Sequence, residues 1–140
     1  MRCARSRRLR TTNVKNPQLF FVKKWFDIAD AEASALIKSL PPDLRGKLAG
    51  VSITLSGKPD ACEVAEEGDE DELLGLFVGA SLGDGEGDFP PEIRLYVENI
   101  LDETGADAVA FKREVRTTLL HEIGHFLGLD EDGLELRGLS

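Results

Sequence analysis

From residue 106 onward the apolar positions settle into a helical period. Phe111, Val115, Leu119 and Ile123 recur every four residues in ADAVAFKREVRTTLLHEIGHFLG, which places them along one buried stripe of an amphipathic helix. Asp107 is well placed to cap its start, and Gly128 to stop it in the left-handed conformation. A short closing helix over 130–138 is expected to follow.

Upstream the period changes to two. GVSITLS (50–56) sets Val51, Ile53 and Leu55 against Ser52, Thr54 and Ser56, the signature of a half-buried strand. LLGLFVGASL (73–82) reads as a second strand, apolar enough to be covered on both faces. EIRLYVENI (92–100) alternates Ile93, Leu95 and Val97 against Arg94, Tyr96 and Glu98, and predicts a third.

Ahead of these strands, DIADAEASALIKSL predicts a helix over about 27–40. Ile28, Ala31, Ala35 and Leu36 lie at helical spacing, with Asp27 or Asp30 as cap and Pro41-Pro42 as the stop. PPDLRGKL allows one further turn of helix. The order helix, three strands, helix predicts an α+β fold, a small sheet with helices packed on one face.

Charge divides the chain unevenly. The first 24 residues hold eight of the 17 Lys and Arg and no acid, leaving nine basic residues against 26 acidic ones in the other 116. The basic segment 1–24 is expected to be a disordered extension, and 25–140 a single domain large enough to bury a core. An acidic body repels phosphate, so nucleic acid is not expected as a partner. No run of about 18 apolar residues occurs, so no membrane-spanning helix is expected. Cys3 and Cys62 form no CxxC, which argues against a cysteine metal site and fits a reducing cytoplasm. CEVAEEGDEDE (62–72) lacks the fixed spacing of a calcium loop and reads as a solvated loop, and GDGEGDFPP (83–91) reads as a turn.

The chemistry concentrates in HEIGHFLGLDED (121–132), which holds both histidines of the chain. On a helix, positions four apart share a face, so His121 and His125 can aim their imidazoles at one point, as two ligands of a tetrahedral zinc require. Glu122 is rotated by about a quarter turn. It suits the role of a general base acting on a water rather than that of a third ligand. Gly128 then permits a sharp turn, and carboxylates arrive at Asp130, Glu131 and Asp132. Chance pairing of two surface histidines is the bland alternative; the amphipathic helix, the glycine and the carboxylates weigh against it.

HEIGHFLGLDEDGLELRGL resembles the HExxHxxGxxD segment of the minimal zincin-like "possible metallopeptidase" family of small bacterial proteins. SLPPDLRGKL, LLGLFVG, PPEIRLYVENI and FKREVRTTLLHE resemble that family in the same order, so the likeness covers about 25–139. It implies a minimal zincin fold, a bound Zn2+, and a metallopeptidase acting on a peptide or protein, with catalytic Glu122 and metal ligands His121 and His125. The third ligand in that family is usually Asp. Here the matching position is Glu131, with Asp132 and Asp130 as neighbours able to replace it. A zinc-containing binding or regulatory module without turnover is the alternative. A small metal-dependent ribonuclease with a similar histidine pair would need a third histidine and no glutamate after the first.

Three further roles are open on sequence. Tyr96 is either an oxyanion donor or a packing residue. Glu114, seven residues before His121, either orients an imidazole or makes a surface ion pair. The strand at 92–98 could take an extended peptide by edge pairing. No methionine follows the helix, so the site is expected to be shallow and open. Nothing in the sequence sets the oligomeric state.

Overall fold

The computed structural model describes residues 17–60, 73–81 and 90–128. The expected closing helix at 130–138, the two acidic loops, both cysteines and Asp130, Glu131 and Asp132 lie outside these residues.

Among the described residues, four helices and three strands make an α+β fold: α1 (Pro17–Ser39), α2 (Pro42–Leu48), β1 (Ser52–Ser56), β2 (Gly75–Val78), β3 (Glu92–Tyr96), α3 (Val97–Glu103) and α4 (Ala108–Phe126). No helix among the described residues is long and apolar enough to cross a membrane.

The first helix begins ten residues earlier than the sequence pattern places it. The aromatic run at 19–26 belongs to the same helix, which continues unbroken through residues 24 and 25. Its buried stripe is Trp25, Ala29 and Ala33, while Ala31 and Ala35 are exposed. The small side chains at 29 and 33 let α1 approach α4, and the Trp25 ring packs edge-on against Phe111 at 4.8 Å between centroids. A proline at the start costs no helical hydrogen bond, because its missing N–H has no partner in the first turn anyway. Pro41 and Pro42 end the helix.

The sheet has the order β1-β3-β2, with β1 parallel and β2 antiparallel to β3. The third strand is therefore central, flanked on both sides. It is not the free edge that peptide pairing at 92–98 would require; β1 and β2 each have one neighbour among the described residues. Ile93 and Leu95 are fully buried on the face toward the helices. Phe77 and Gly75 stand opposite them in register on β2, and Ile53 and Leu55 on β1.

The third strand is also shorter than expected. It ends at Tyr96, and Val97–Glu103 is helical. Val97, Ile100 and Leu101 form an i, i+3, i+4 set that buries one face of the short helix. Val97 belongs both to the alternation Ile93, Leu95, Val97 and to the helical set Val97, Ile100, Leu101, so it satisfied both readings. Asn99 distinguishes them: its buried amide donates to the carbonyl of Leu73 at 2.9 Å, a bond made from a helix to the chain entering β2.

The long helix α4 forms as its pattern predicts. The Asp107 side chain accepts from the backbone N–H of Ala110 at 2.9 Å, capping the start. Phe111, Val115, Leu119 and Ile123 are all buried in the core. Gly128 follows with φ of +81°, the left-handed stop expected of it.

Candidate metal centre

The last two turns of α4 bring His121, Glu122 and His125 together. One ligand atom from each lies within 4.8 Å of the others. The two imidazoles present the same nitrogen, with His121 Nε2 and His125 Nε2 3.0 Å apart. Their rings are nearly perpendicular, at 85°, with centroids 4.6 Å apart. Helical spacing supplies the shared face, and the edge-on rings point both nitrogens at one place.

That distance can be compared with what an ion needs. With Zn–N bonds of about 2.0–2.1 Å, two ligands of a tetrahedral zinc stand about 3.3 Å apart. The observed pair is within a few tenths of an ångström of this edge. Both histidines are half-buried, which leaves their nitrogens reachable. His125 lies in the last turn, where the negative end of the helix dipole favours a cation. The donor set therefore fits zinc.

Glu122 has a different environment. It is buried, and its side chain runs under the backbone of β2. It is one residue away from His121 and so off the shared imidazole face, yet its carboxylate stays within the 4.8 Å cluster.

The strand above is held at several points. Leu73 is bonded by Asn99, and the backbone N–H of Tyr96 donates to the carbonyl of Leu74 at 2.9 Å. Past the strand, Ser81 Oγ donates to the carbonyl of His125 at 3.2 Å. Gly128 N–H donates to the same carbonyl at 3.0 Å. That carbonyl belongs to the end of a helix, where no intrahelical partner exists, and these two donors satisfy it.

Two secondary candidates from the sequence lie among the described residues. Tyr96 is fully buried where β3 ends and caps the start of α3. Glu114 accepts a hydrogen bond from Thr118 Oγ1 at 3.1 Å, one turn along its own helix, rather than orienting an imidazole.

Sequence reasoning missed Gly75, Asn99 and Ser81. A glycine inside a strand pattern is a recognised sign of close backbone approach, and LLGLFVG carried that sign. Asn99 and Ser81 act through contacts 26 and 44 residues away in sequence, for which no local pattern exists.

A small mixed sheet lying across a helix with two converging imidazoles and an adjacent carboxylate defines a zincin-type metalloprotein. Residues 40–139 match the sequence profile of the zincin-like metallopeptidases, and the chain belongs to that family. No curated protein matches it.

Proposed function

We propose that the protein is a zinc-dependent peptidase in which His121 and His125 hold the metal, Glu131 completes the ligand set, and Glu122 is the general base. The observation that carries this reading is the approach of the two Nε2 atoms to 3.0 Å with the Glu122 carboxylate in the same cluster. When bound, zinc supplies Lewis acidity that makes water a nucleophile near neutral pH.

The chain's own residues supply the rest. Glu122 accepts a proton from the attacking water and returns it to the leaving amine. Its burial under β2 keeps the carboxylate from turning to solvent. The substrate is a peptide or a protein segment. The edge of β2 that has no neighbour among the described residues, beside Glu122, suits an extended peptide pairing as an additional strand.

The test combines metal analysis of the purified protein with cleavage of a peptide library. His121→Ala or His125→Ala should abolish stoichiometric zinc, because the two remaining ligands do not hold the ion tightly. Glu131→Ala should weaken zinc by a factor of about 10–100, and more than Asp130→Ala or Asp132→Ala does. Glu122→Gln should leave zinc occupancy and melting temperature nearly unchanged and lower hydrolysis by about 10²-fold or more. Bound zinc without Glu122-dependent cleavage would replace the peptidase with a zinc-containing binding module. Full zinc occupancy in either histidine variant would end the metal assignment itself.

A further inference from the structure

We propose that Gly75 is a positioning residue for the Glu122 carboxylate, holding it in place by having no side chain where β2 crosses α4. The proposal rests on the reading of Glu122 as general base. On the helix-facing side of the sheet the other positions are large: Ile53, Leu55, Phe77, Ile93 and Leu95. Gly75 is the bare position in this layer, and it stands over the site. A Cβ there would lie 2.6 Å from Thr118 Cγ2, 3.2 Å from the backbone oxygen of Arg94 and 3.4 Å from Glu122 Cγ. A contact of 2.6 Å between carbon atoms cannot stand, so something must move.

The surroundings decide what moves. The chain entering β2 is pinned at Leu73 by Asn99 and at Leu74 by Tyr96 N–H. Beyond Gly75, Phe77 packs edge-on against Phe126 at 5.8 Å. The strand therefore resists backing away. Thr118 is buried, stiff at its branched Cβ, and bonded through Oγ1 to Glu114. The overlap is with the Thr118 methyl, so its relief pushes that turn of α4 away from β2, and the Glu122 side chain, in ordinary contact with the added Cβ at 3.4 Å, loses its seat under the strand. A glycine weakens a strand by its conformational freedom, and close backbone approach is the circumstance that makes it useful there.

The experiment is a double-variant cycle on the zinc-loaded protein. Gly75→Ala should keep zinc affinity within about threefold of wild type, since both histidines sit on α4 away from the added methyl. It should lower Glu122-dependent turnover about tenfold or more, the scale of a catalytic group displaced by up to an ångström. Thr118→Ser removes the methyl that the new Cβ would meet while keeping the hydroxyl that bonds Glu114. In the Gly75→Ala background it should restore most of the lost turnover.

Wild-type turnover in Gly75→Ala overturns the proposal. So does a folded double variant that stays as inactive as the single one. If Gly75→Ala fails to fold, the double variant still decides, since it should fold and turn over near the wild-type rate. If wild type shows no turnover at all, the peptidase reading fails, and the visible spectrum of the Co2+-substituted protein judges Gly75 separately. Gly75→Ala should then change the Co2+ bands in the direction that Glu122→Gln changes them, and Thr118→Ser should reverse the change. A Co2+ spectrum identical to wild type in Gly75→Ala overturns the positioning role.

Discussion

Two of the elements packed against α4, the helix α1 and the strand β2, hold it in opposite ways. Toward α1 the contact is made of bulk: Trp25 against Phe111, with Phe21 edge-on to Trp25 at 6.1 Å and the alanines at 29 and 33 letting the helices close. A surface ion pair between Arg116 and Glu32 at 3.5 Å adds little, since exposed pairs contribute about 0–1 kcal/mol. Toward β2 one aromatic pair, Phe77 against Phe126, stands beside the absence of bulk at Gly75 and a hydrogen bond from Ser81 to the end of the helix, while Asn99 fixes the chain that enters the strand. Burial of apolar area stabilises in proportion to area and has no preferred direction. Hydrogen bonds and a bare backbone contact contribute less energy but fix position. The α1 side therefore holds the helix in the fold, and the β2 side sets the geometry of the metal centre.

The largest expected effect tests the first half of that contrast. Phe111→Ala should lower stability by about 3–5 kcal/mol, the usual cost of emptying an aromatic site in a packed core. Chemical denaturation measures it. Zinc affinity of the folded protein should stay within about threefold of wild type, because Phe111 lies ten residues and nearly three turns from His121. A variant that loses zinc binding in proportion to stability would mean that the two sides of α4 act as one unit, and the contrast would fail.

A middle-sized effect tests the second half. Asn99→Ala leaves the Leu73 carbonyl without its donor and should cost about 1–3 kcal/mol. Because the bond pins the chain two residues before Gly75, turnover should fall by more than the stability change explains, measured where the protein remains fully folded. Equal turnover in the folded variant and wild type would make Asn99 a stability residue only and weaken the division proposed here.

The same contrast separates what the sequence disclosed from what it concealed. Features of α4 were legible because they repeat within one helix: the stripe Phe111, Val115, Leu119 and Ile123, the Asp107 cap, the Gly128 stop and the convergence of His121 with His125. β1 was legible for the same reason, through its alternation. The α1 stripe was read in part: Ile28 and Leu36 do pack against the core, but Ala31 and Ala35 are exposed, because the aromatic anchor Trp25 was separated from Ala29 and Ala33, which share its face. The end of β3 was lost because Val97 continues the alternation of Ile93 and Leu95 while also opening the helical set it forms with Ile100 and Leu101. The β2 contact was concealed because a glycine carries no pattern, and its partners Thr118 and Glu122 come from a segment more than forty residues away.

The smallest expected effect lies on the far side of the sheet and serves as the control. Arg94 Nε donates to Glu92 Oε1 at 3.1 Å, two residues along the same strand. Burial pushes the Glu92 carboxyl upward, but hydrogen bonds from Arg94 and Thr54 and the Arg94 charge outweigh it and leave it below its usual range. A carboxyl lowered by folding contributes stability that is fully present above its unfolded value of about 4.3 and is lost as pH falls through the folded value. The group keeps solvent contact, so the contribution should be only a few tenths of a kcal/mol. Glu92→Gln should remove that increment at neutral pH and flatten the stability profile below about pH 4.3, as read by thermal melts across pH. Zinc affinity and turnover should not change, because the pair engages the Arg94 side chain on the outer face and leaves the backbone oxygen that faces Gly75 in place. A change in turnover on losing Glu92 would show that the metal centre is set through the whole thickness of the sheet, and not by the layer that touches α4.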